Sequence, residues 1–184
     1  MRSVVYLMNM SVDGYVEGPD GKFDWTVPDE EIFRFHIEQA REMGGYLYGR
    51  RIYETMEVWQ TMEEDPSVPE SYAEFARIWK SKPKVVFSTT LKAVGPSCTL
   101  AQGDVASQVA LLKKQPGGPL GVCGPGLASS LAQLGLIDEY RLVVYPVLVG
   151  GGKTYFPHTG KVPLRLLETK TFGSGAVYLR YASP

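Results

Sequence analysis

Leu120-Gly-Val-Cys-Gly-Pro-Gly-Leu-Ala-Ser-Ser-Leu131 reads as a strand, a glycine corner and the start of a helix. Leu120 to Cys123 is a short apolar segment, and Gly124-Pro-Gly126 breaks it. Leu127, Leu131 and Leu134 then recur at i, i+4 and i+7, which gives the following helix one apolar face. Gly135 stands where such a helix stops, and Tyr140 to Val149 is a second apolar run. The corner also has a chemical meaning. Glycines let ligand atoms approach the backbone, and the first turn of a helix offers free N–H groups and a partial positive charge. An anion, most naturally a phosphate, suits such a corner; the alternative is a tight turn with no ligand.

The rest of the chain supports an α/β domain. Arg2 to Met10 is apolar without clean alternation, as expected of a central strand covered on both faces. Ser11-Val-Asp-Gly14 breaks it, Tyr15-Val-Glu17 resumes briefly, and Gly18-Pro-Asp-Gly21 turns the chain. Pro28 and Asp29 open a helix whose apolar face includes Ile32, Phe33, Phe35, His36, Ile37 and Ala40, and Gly44-Gly45 ends it. Tyr46 to Tyr48 is a strand, Gly49-Arg-Arg51 leads into a short helix through about Met56, and Glu63 to Pro69 reads as a loop. Glu70 to Lys80 is an amphipathic helix, Lys84 to Phe87 a strand ending in Ser88-Thr-Thr90, and Asp104 caps a further helix. Leu164 to Thr171 and Ala176 to Tyr181 read as an antiparallel hairpin at the end of the sheet. The expectation is one three-layer α/β/α domain, with a mostly parallel central sheet and antiparallel C-terminal strands.

Composition removes several functions. The formal net charge of −1 offers no field for nucleic acid, and no run reaches the roughly 18 apolar residues of a membrane span. Cys98 and Cys123 lack the spacing of a zinc site or disulfide framework, and the N-terminus lacks a signal-peptide layout, so a reduced, cytoplasmic protein is expected. His36 and His158 are the only histidines, too far apart in sequence for a metal motif. His36 reads as a core residue on an apolar helix face. Gly150-Gly-Gly-Lys-Thr154 is not a P-loop: Val147 stands where the first glycine is needed, and Pro157 disfavours the required helix. Gly124-Pro-Gly126 is not a Rossmann fingerprint, because Ser129 occupies the third glycine position.

Four strand ends carry glycine or polar groups: Ser11 and Asp13, Gly49 to Arg51, Ser88 to Thr90, and Gly124 with Gly126. In a parallel sheet these ends gather along one edge, where ligands bind. Arginines after a strand suit a phosphate monoester through forked hydrogen bonds and charge; otherwise Arg50 and Arg51 are a solvated basic pair. Together with the glycine corner they point to a ligand with a phosphate at one end and a pyrophosphate further along. NADPH fits that description better than NADH.

On these residues the sequence resembles the dihydrofolate-reductase fold family. It is closest to the C-terminal reductase domain of the bifunctional riboflavin-biosynthesis deaminase–reductase (RibD). The carrying motifs are Ser11-Val-Asp-Gly14, Gly49-Arg-Arg-Ile-Tyr-Glu54, Val85-Val-Phe-Ser-Thr-Thr90, Val122-Cys-Gly-Pro-Gly-Leu127 and Pro146-Val-Leu-Val-Gly-Gly-Gly152. The resemblance implies an NADPH-dependent reductase acting on a small molecule. Arg50 and Arg51 would face the 2′-phosphate with Ser88 and Thr89. Cys123 and Gly124 to Ala128 (Pro125, Gly126 and Leu127 between them) would hold the pyrophosphate. Met10 and Ser11 would lie by the nicotinamide, with Thr154 also beside the cofactor.

The resemblance makes reduction of an aminouracil ribosyl phosphate the first expectation, with dihydrofolate or another pterin second. A nucleotide-binding protein without catalysis is the third reading. Asp13, Glu30 and Glu31 are the candidate proton donors, although Asp29 to Glu31 also suit an acidic first helical turn. The Gly124–Pro125 bond is expected to be cis, since an X-Pro bond lowers the cis cost to about 0.5–1 kcal/mol. A homodimer is expected from the resemblance and the late hairpin.

Overall fold

Val4–Ser11 lacks alternation because the strand it forms, β1, is covered on both faces. The computed structural model describes residues 1–156 and 160–184. Pro157 and His158, invoked above, lie outside the described residues. After β1 come β2 (Tyr15–Glu17), α1 (Glu30–Glu42), β3 (Gly45–Gly49), α2 (Arg50–Met56), α3 (Glu70–Ser81), β4 (Lys84–Phe87) and β5 (Cys98–Leu100). The second half adds α4 (Val105–Lys114), β6 (Leu120–Cys123), α5 (Pro125–Gln133), β7 (Glu139–Tyr145), β8 (Lys153–Thr154), β9 (Arg165–Thr171) and β10 (Val177–Ala182).

The main sheet has the order β5-β4-β3-β6-β1-β7-β10-β9. Every pairing from β5 to β7 is parallel, and β10 and β9 complete the sheet antiparallel. One face packs Tyr6, Leu47, Val122 and Leu142 against Val109 of α4 and Leu127 and Leu131 of α5. The other receives Ile32, Phe35 and Met43 from α1 and its C-terminal end, and Trp79 from α3. The three-layer expectation holds. Leu131 is fully buried at the centre of its layer, where truncation to alanine costs about 2–5 kcal/mol.

Local signals set the helix ends. Asp29 Oδ1 accepts the Ile32 N–H at 2.8 Å, and Asp104 Oδ1 accepts the Ser107 N–H at 2.9 Å. At the end of α5 the Leu136 N–H bonds Leu131 O at 2.9 Å and the Gly135 N–H bonds Ala132 O at 3.0 Å, a Schellman closure that needs the positive φ of Gly135.

The Gly124–Pro125 expectation is corrected: among the described residues there is no cis peptide bond. Gly124 itself makes the turn, with φ 92°, and Pro125 opens α5, where its missing N–H would have been unpaired anyway. Two features were not read from the sequence. Cys98–Leu100 forms β5 beside β4, and short 3₁₀ turns occupy Glu57–Gln60 and Met62–Glu64. The Gly150–Gly152 loop also has a packing reason. A Cβ at Gly152 would lie 2.0 Å from the Glu17 carbonyl oxygen, so only glycine allows the β2–β8 pairing. Tyr155 then anchors this segment in the core, its hydroxyl donating to Tyr6 O at 3.2 Å while the Tyr6 hydroxyl donates to Tyr155 O at 3.1 Å.

Candidate functional site

Because β4, β3, β6 and β1 are parallel neighbours, their C-terminal ends open onto one edge of the sheet. A cleft of about 1080 Å³ lies there and continues between α1 and the sheet. Ten residues expected at a cofactor line it: Gly49, Arg50, Arg51, Ser88, Thr89, Cys123, Gly124, Pro125, Gly126 and Leu127.

Arg50 and Arg51 are exposed on the first turn of α2, and neither has a carboxylate partner among the described residues. Ser88 directly follows β4 one strand away, its Oγ accepting the Thr90 and Leu91 N–H groups at 3.2 and 3.1 Å. On the other side of β3, the Gly124 N–H points at Met8 Sδ at 3.3 Å. The Gly126 and Leu127 N–H groups have no partner among the described residues. A Cβ on Gly126 would meet nothing within 4 Å, so the space in front of these donors is open. Unpaired cations, free N–H donors and open space at a glycine corner fit a phosphorylated dinucleotide. Cys123 contributes a neutral thiol, which burial pushes up to about 12.

Five other expected residues do not line the cleft. Met10 and Ala128 are buried against the core, and Thr154 is exposed, its hydroxyl donating to Phe156 O at 3.2 Å. Ser11 is fully buried and donates its Oγ–H to Asp13 Oδ1 at 2.6 Å. Asp13 Oδ2 accepts the Gly150 N–H at 2.8 Å, and the Val149 N–H reaches the same carboxylate at 3.1 Å. Ser11 first, and then the loop N–H groups, hold the Asp13 carboxyl below the usual carboxylate range.

The other two candidate acids have structural partners. Glu30 pairs with Arg34 at 2.8 Å and accepts the Ser71 hydroxyl at 3.3 Å. Glu31 accepts the Gly173 N–H at 2.9 Å, tying the start of α1 to the β9–β10 turn.

The part of the cleft under α1 contains residues that the sequence reading placed in the core or passed over. Asn9 and Leu7 project there from β1, Phe33 and His36 from α1, Arg141 from β7 and Tyr178 from β10. The His36 Nε2 is buried without a hydrogen-bond partner among the described residues, and burial lowers the imidazole pKa to about 4. Helical periodicity gave the correct face for His36. It could not show that this face borders a cavity as well as the core.

The model of the RibD C-terminal domain family matches residues 2–178. The chain belongs to the RibD C-terminal domain family. A further member-like relative is the uncharacterized protein YyaP of Bacillus subtilis, 30% identical over 186 residues, covering 98% of this chain and 94% of that protein. The fold is shared with Acinetobacter baumannii RibD, at a TM-score of 0.73 and 16% identity, over 100% of this chain and 58% of that one. It is also shared with a Thermotoga maritima diaminohydroxyphosphoribosylaminopyrimidine deaminase/5-amino-6-(5-phosphoribosylamino)uracil reductase, at a TM-score of 0.68 and 16% identity. That match covers 100% of this chain and 57% of the other. In this RibD-family chain no helix of the described residues is long and apolar enough to cross a membrane.

Proposed function

We propose that the chain is an NADPH-dependent reductase of the riboflavin-biosynthesis type, acting on a small heterocyclic molecule. The observation that carries this reading is the arginine pair, Arg50 and Arg51, unpartnered on the wall that also holds Ser88 and the first turn of α5. A 2′-phosphate suits the arginines, a pyrophosphate suits the Gly126 and Leu127 N–H groups, and the nicotinamide would follow toward the end of β1. The strand order β4-β3-β6-β1 supports this direction, since it lays the three features out in sequence across the sheet edge. Bound NADPH supplies a hydride which, with a proton from water, reduces one double bond. The protein's own contribution is to hold the two reactants face to face and to keep bulk water from the contact. Because Asp13, Glu30 and Glu31 are engaged away from the cleft, we assign the proton to solvent.

Family membership and the uracil reductase named for the Thermotoga neighbour support a reductase. The free thiols of Cys98 and Cys123 support a reducing, cytoplasmic setting. The open edge of β9, exposed at all seven residues, is the surface we assign to a homodimer. Quenching of tryptophan fluorescence by NADPH and then by NADH tests the cofactor. Equal affinity for the two would sink the 2′-phosphate assignment. Consumption of NADPH on a panel of pyrimidines, pterins and flavins separates an enzyme from a protein that only binds the nucleotide.

A further inference from the structure

Asn9 interrupts the apolar run of β1. Every other residue from Val4 to Met10 is Val, Tyr, Leu or Met, and asparagine is depleted from strands. An amide in the middle of the sheet breaks the local pattern, and such breaks concentrate at functional positions. Side chains alternate along a strand, which puts Asn9 on the same face as Leu7. That face looks toward α1: Leu7 packs in the cluster that holds Met43 and Trp79, and Leu7 and Asn9 both border the cavity there. β6 pairs with β1 only as far as Tyr6, because Gly124 turns the chain into α5. Beyond Tyr6, β1 has β7 on one side, with Asn9 opposite Val143, and the open cleft on the other. Asn9 therefore stands between the glycine corner and the cavity under α1.

The Asn9 amide is free and reachable. Among the described residues its Oδ1 and Nδ2 have no hydrogen-bond partner, yet neither belongs to the polar atoms sealed from solvent. The neighbouring polar groups under α1 are sealed or engaged. The His36 Nε2 and the Tyr178 hydroxyl have no accessible surface to offer. Arg141 is held by Glu42 at 2.6 Å, by Glu139 and by Gln39, and Lys153 pairs with Glu17 at 3.2 Å. Tyr46 also borders the cavity, but two strands away at the register of Val5, about 13 Å behind Asn9 along the strand direction.

A reduction at this point needs a group of that kind. Asp13, Glu30 and Glu31 are engaged elsewhere, so the proton comes from water. When hydride reaches the carbon of a polarised double bond, negative charge develops on the other atom before that proton arrives. A fixed N–H donor aimed at that atom stabilises the charge without reorganising. A C=C bond would gain nothing from it.

We propose that the Asn9 Nδ2–H donates to the heteroatom of the double bond being reduced, so that the substrate presents a C=O or C=N group to the hydride. This rests on the reductase reading. Hydride forms a new C–H bond, the π pair moves onto the oxygen or nitrogen held by Asn9, and water supplies the proton of the new O–H or N–H bond. NADPH is converted to NADP⁺.

The test compares the wild type with Asn9→Leu, of similar bulk, Asn9→Asp and Asn9→Ser. Without ligand, Asn9→Leu should melt at or above the wild-type temperature, because no internal hydrogen bond is lost. A lower melting temperature would give the amide a structural partner and overturn the proposal. NADPH affinity, read by tryptophan quenching, should be unchanged. With 5-amino-6-(5-phosphoribosylamino)uracil as substrate, kcat should fall about 10²–10³-fold in Asn9→Leu and at least as far in Asn9→Asp. KM should change less, and Asn9→Ser, which keeps a donor, should recover part of the rate. The isotope effect with NADPH deuterated at the transferred position should grow in Asn9→Leu, since hydride transfer is the step that slows. An Asn9→Leu variant with wild-type kcat, or one that loses NADPH affinity in step with kcat, removes this role and leaves the reductase reading standing. A wild type that binds NADPH but does not oxidise it with this compound overturns the assigned role at this substrate. One that fails to bind NADPH removes the reductase reading as well.

Discussion

Asp13 and Gly150 are joined across the sheet edge: the Asp13 carboxylate takes the Gly150 N–H at 2.8 Å while holding the Ser11 hydroxyl at 2.6 Å. A residue with the features of a proton donor is thus a latch between the loop after β1 and the glycine loop before β8. Its hydrogen bonds favour the ionised form and hold its pKa below the usual range, so it has no proton to give near neutrality. Loss of a general acid costs about 10²–10⁴-fold in rate. Asp13→Asn keeps an acceptor oxygen for the latch and should stay above that range of loss, whereas Asp13→Ala should raise KM and speed proteolysis of the 146–152 loop. An Asn variant as inactive as the Ala variant would restore Asp13 as an acid.

Arg50 and Arg51 set the expected cofactor preference. A hydrogen bond to a charged group contributes about 1.5–3 kcal/mol, so removing either guanidinium should weaken NADPH about 10- to 100-fold. NADH, which has no 2′-phosphate, should be unaffected. Both side chains are exposed, so the NADPH advantage should also shrink as salt rises. Titrations of wild type, Arg50→Ala and Arg51→Ala at low and high ionic strength check both statements.

The two glycines of the corner should behave differently. At Gly124 an added Cβ would sit 3.2 Å from Ile52 Cβ at a φ of 92°, so Gly124→Ala should lose about 1–3 kcal/mol of stability. At Gly126 the space is open and the backbone already helical, so Gly126→Ala should fold at least as stably as the wild type. It places a methyl group in front of the free N–H donors and should weaken NADPH nonetheless. Urea unfolding and cofactor titration of the two variants separate fold from cradle.

The layer order, the parallel core of the sheet and the corner at Gly124 were all legible, because periodicity and glycine punctuation are local signals. β5 was not: Cys98–Leu100 is three residues long and owes its conformation to pairing with β4. The arginine wall could be read because both residues follow a strand directly. The roles of Asp13, Glu30 and Glu31 could not, since each is fixed by a partner 41 to 142 residues away. His36 shows a similar limit, as its helical face was correct but the cavity beside it depends on packing.

Lys84 gives the fold a pH dependence at the alkaline end. Its ammonium lies 4.0 Å from the centre of the Trp79 ring and donates to Lys82 O at 2.9 Å, and burial pushes its pKa down from 10.5 to about 8. Between those values the unfolded chain holds the proton and the folded chain does not, so stability rises with pH through this window and is lost as pH falls through 8. With the ring and the carbonyl still receiving the charge, a gain of about 1–2 kcal/mol is expected. Above pH 10 the buried Tyr6, Tyr48 and Tyr155 act oppositely, because burial raises their pKa values and the unfolded chain ionises first. Unfolding free energy should therefore peak between pH 9 and 10 (about one unit above the Lys84 value). Lys84→Met should flatten the rise.

His36 gives the fold a pH dependence at the acid end. An unpartnered buried polar atom costs about 1–3 kcal/mol, so His36→Leu, of similar bulk, should raise the stability of the ligand-free protein by about 1 kcal/mol. The wild-type imidazole falls from 6.5 to about 4 on folding, because it is buried. The unfolded chain therefore binds the extra proton between those values, and stability drops as pH falls from 6.5 toward 4. His36→Leu should remove that contribution, and the gap between the two proteins should widen at pH 5. Urea unfolding at pH 7 and pH 5 measures both. If His36→Leu is the less stable protein at both pH values, the imidazole has a structural partner and the burial cost assigned to it is wrong.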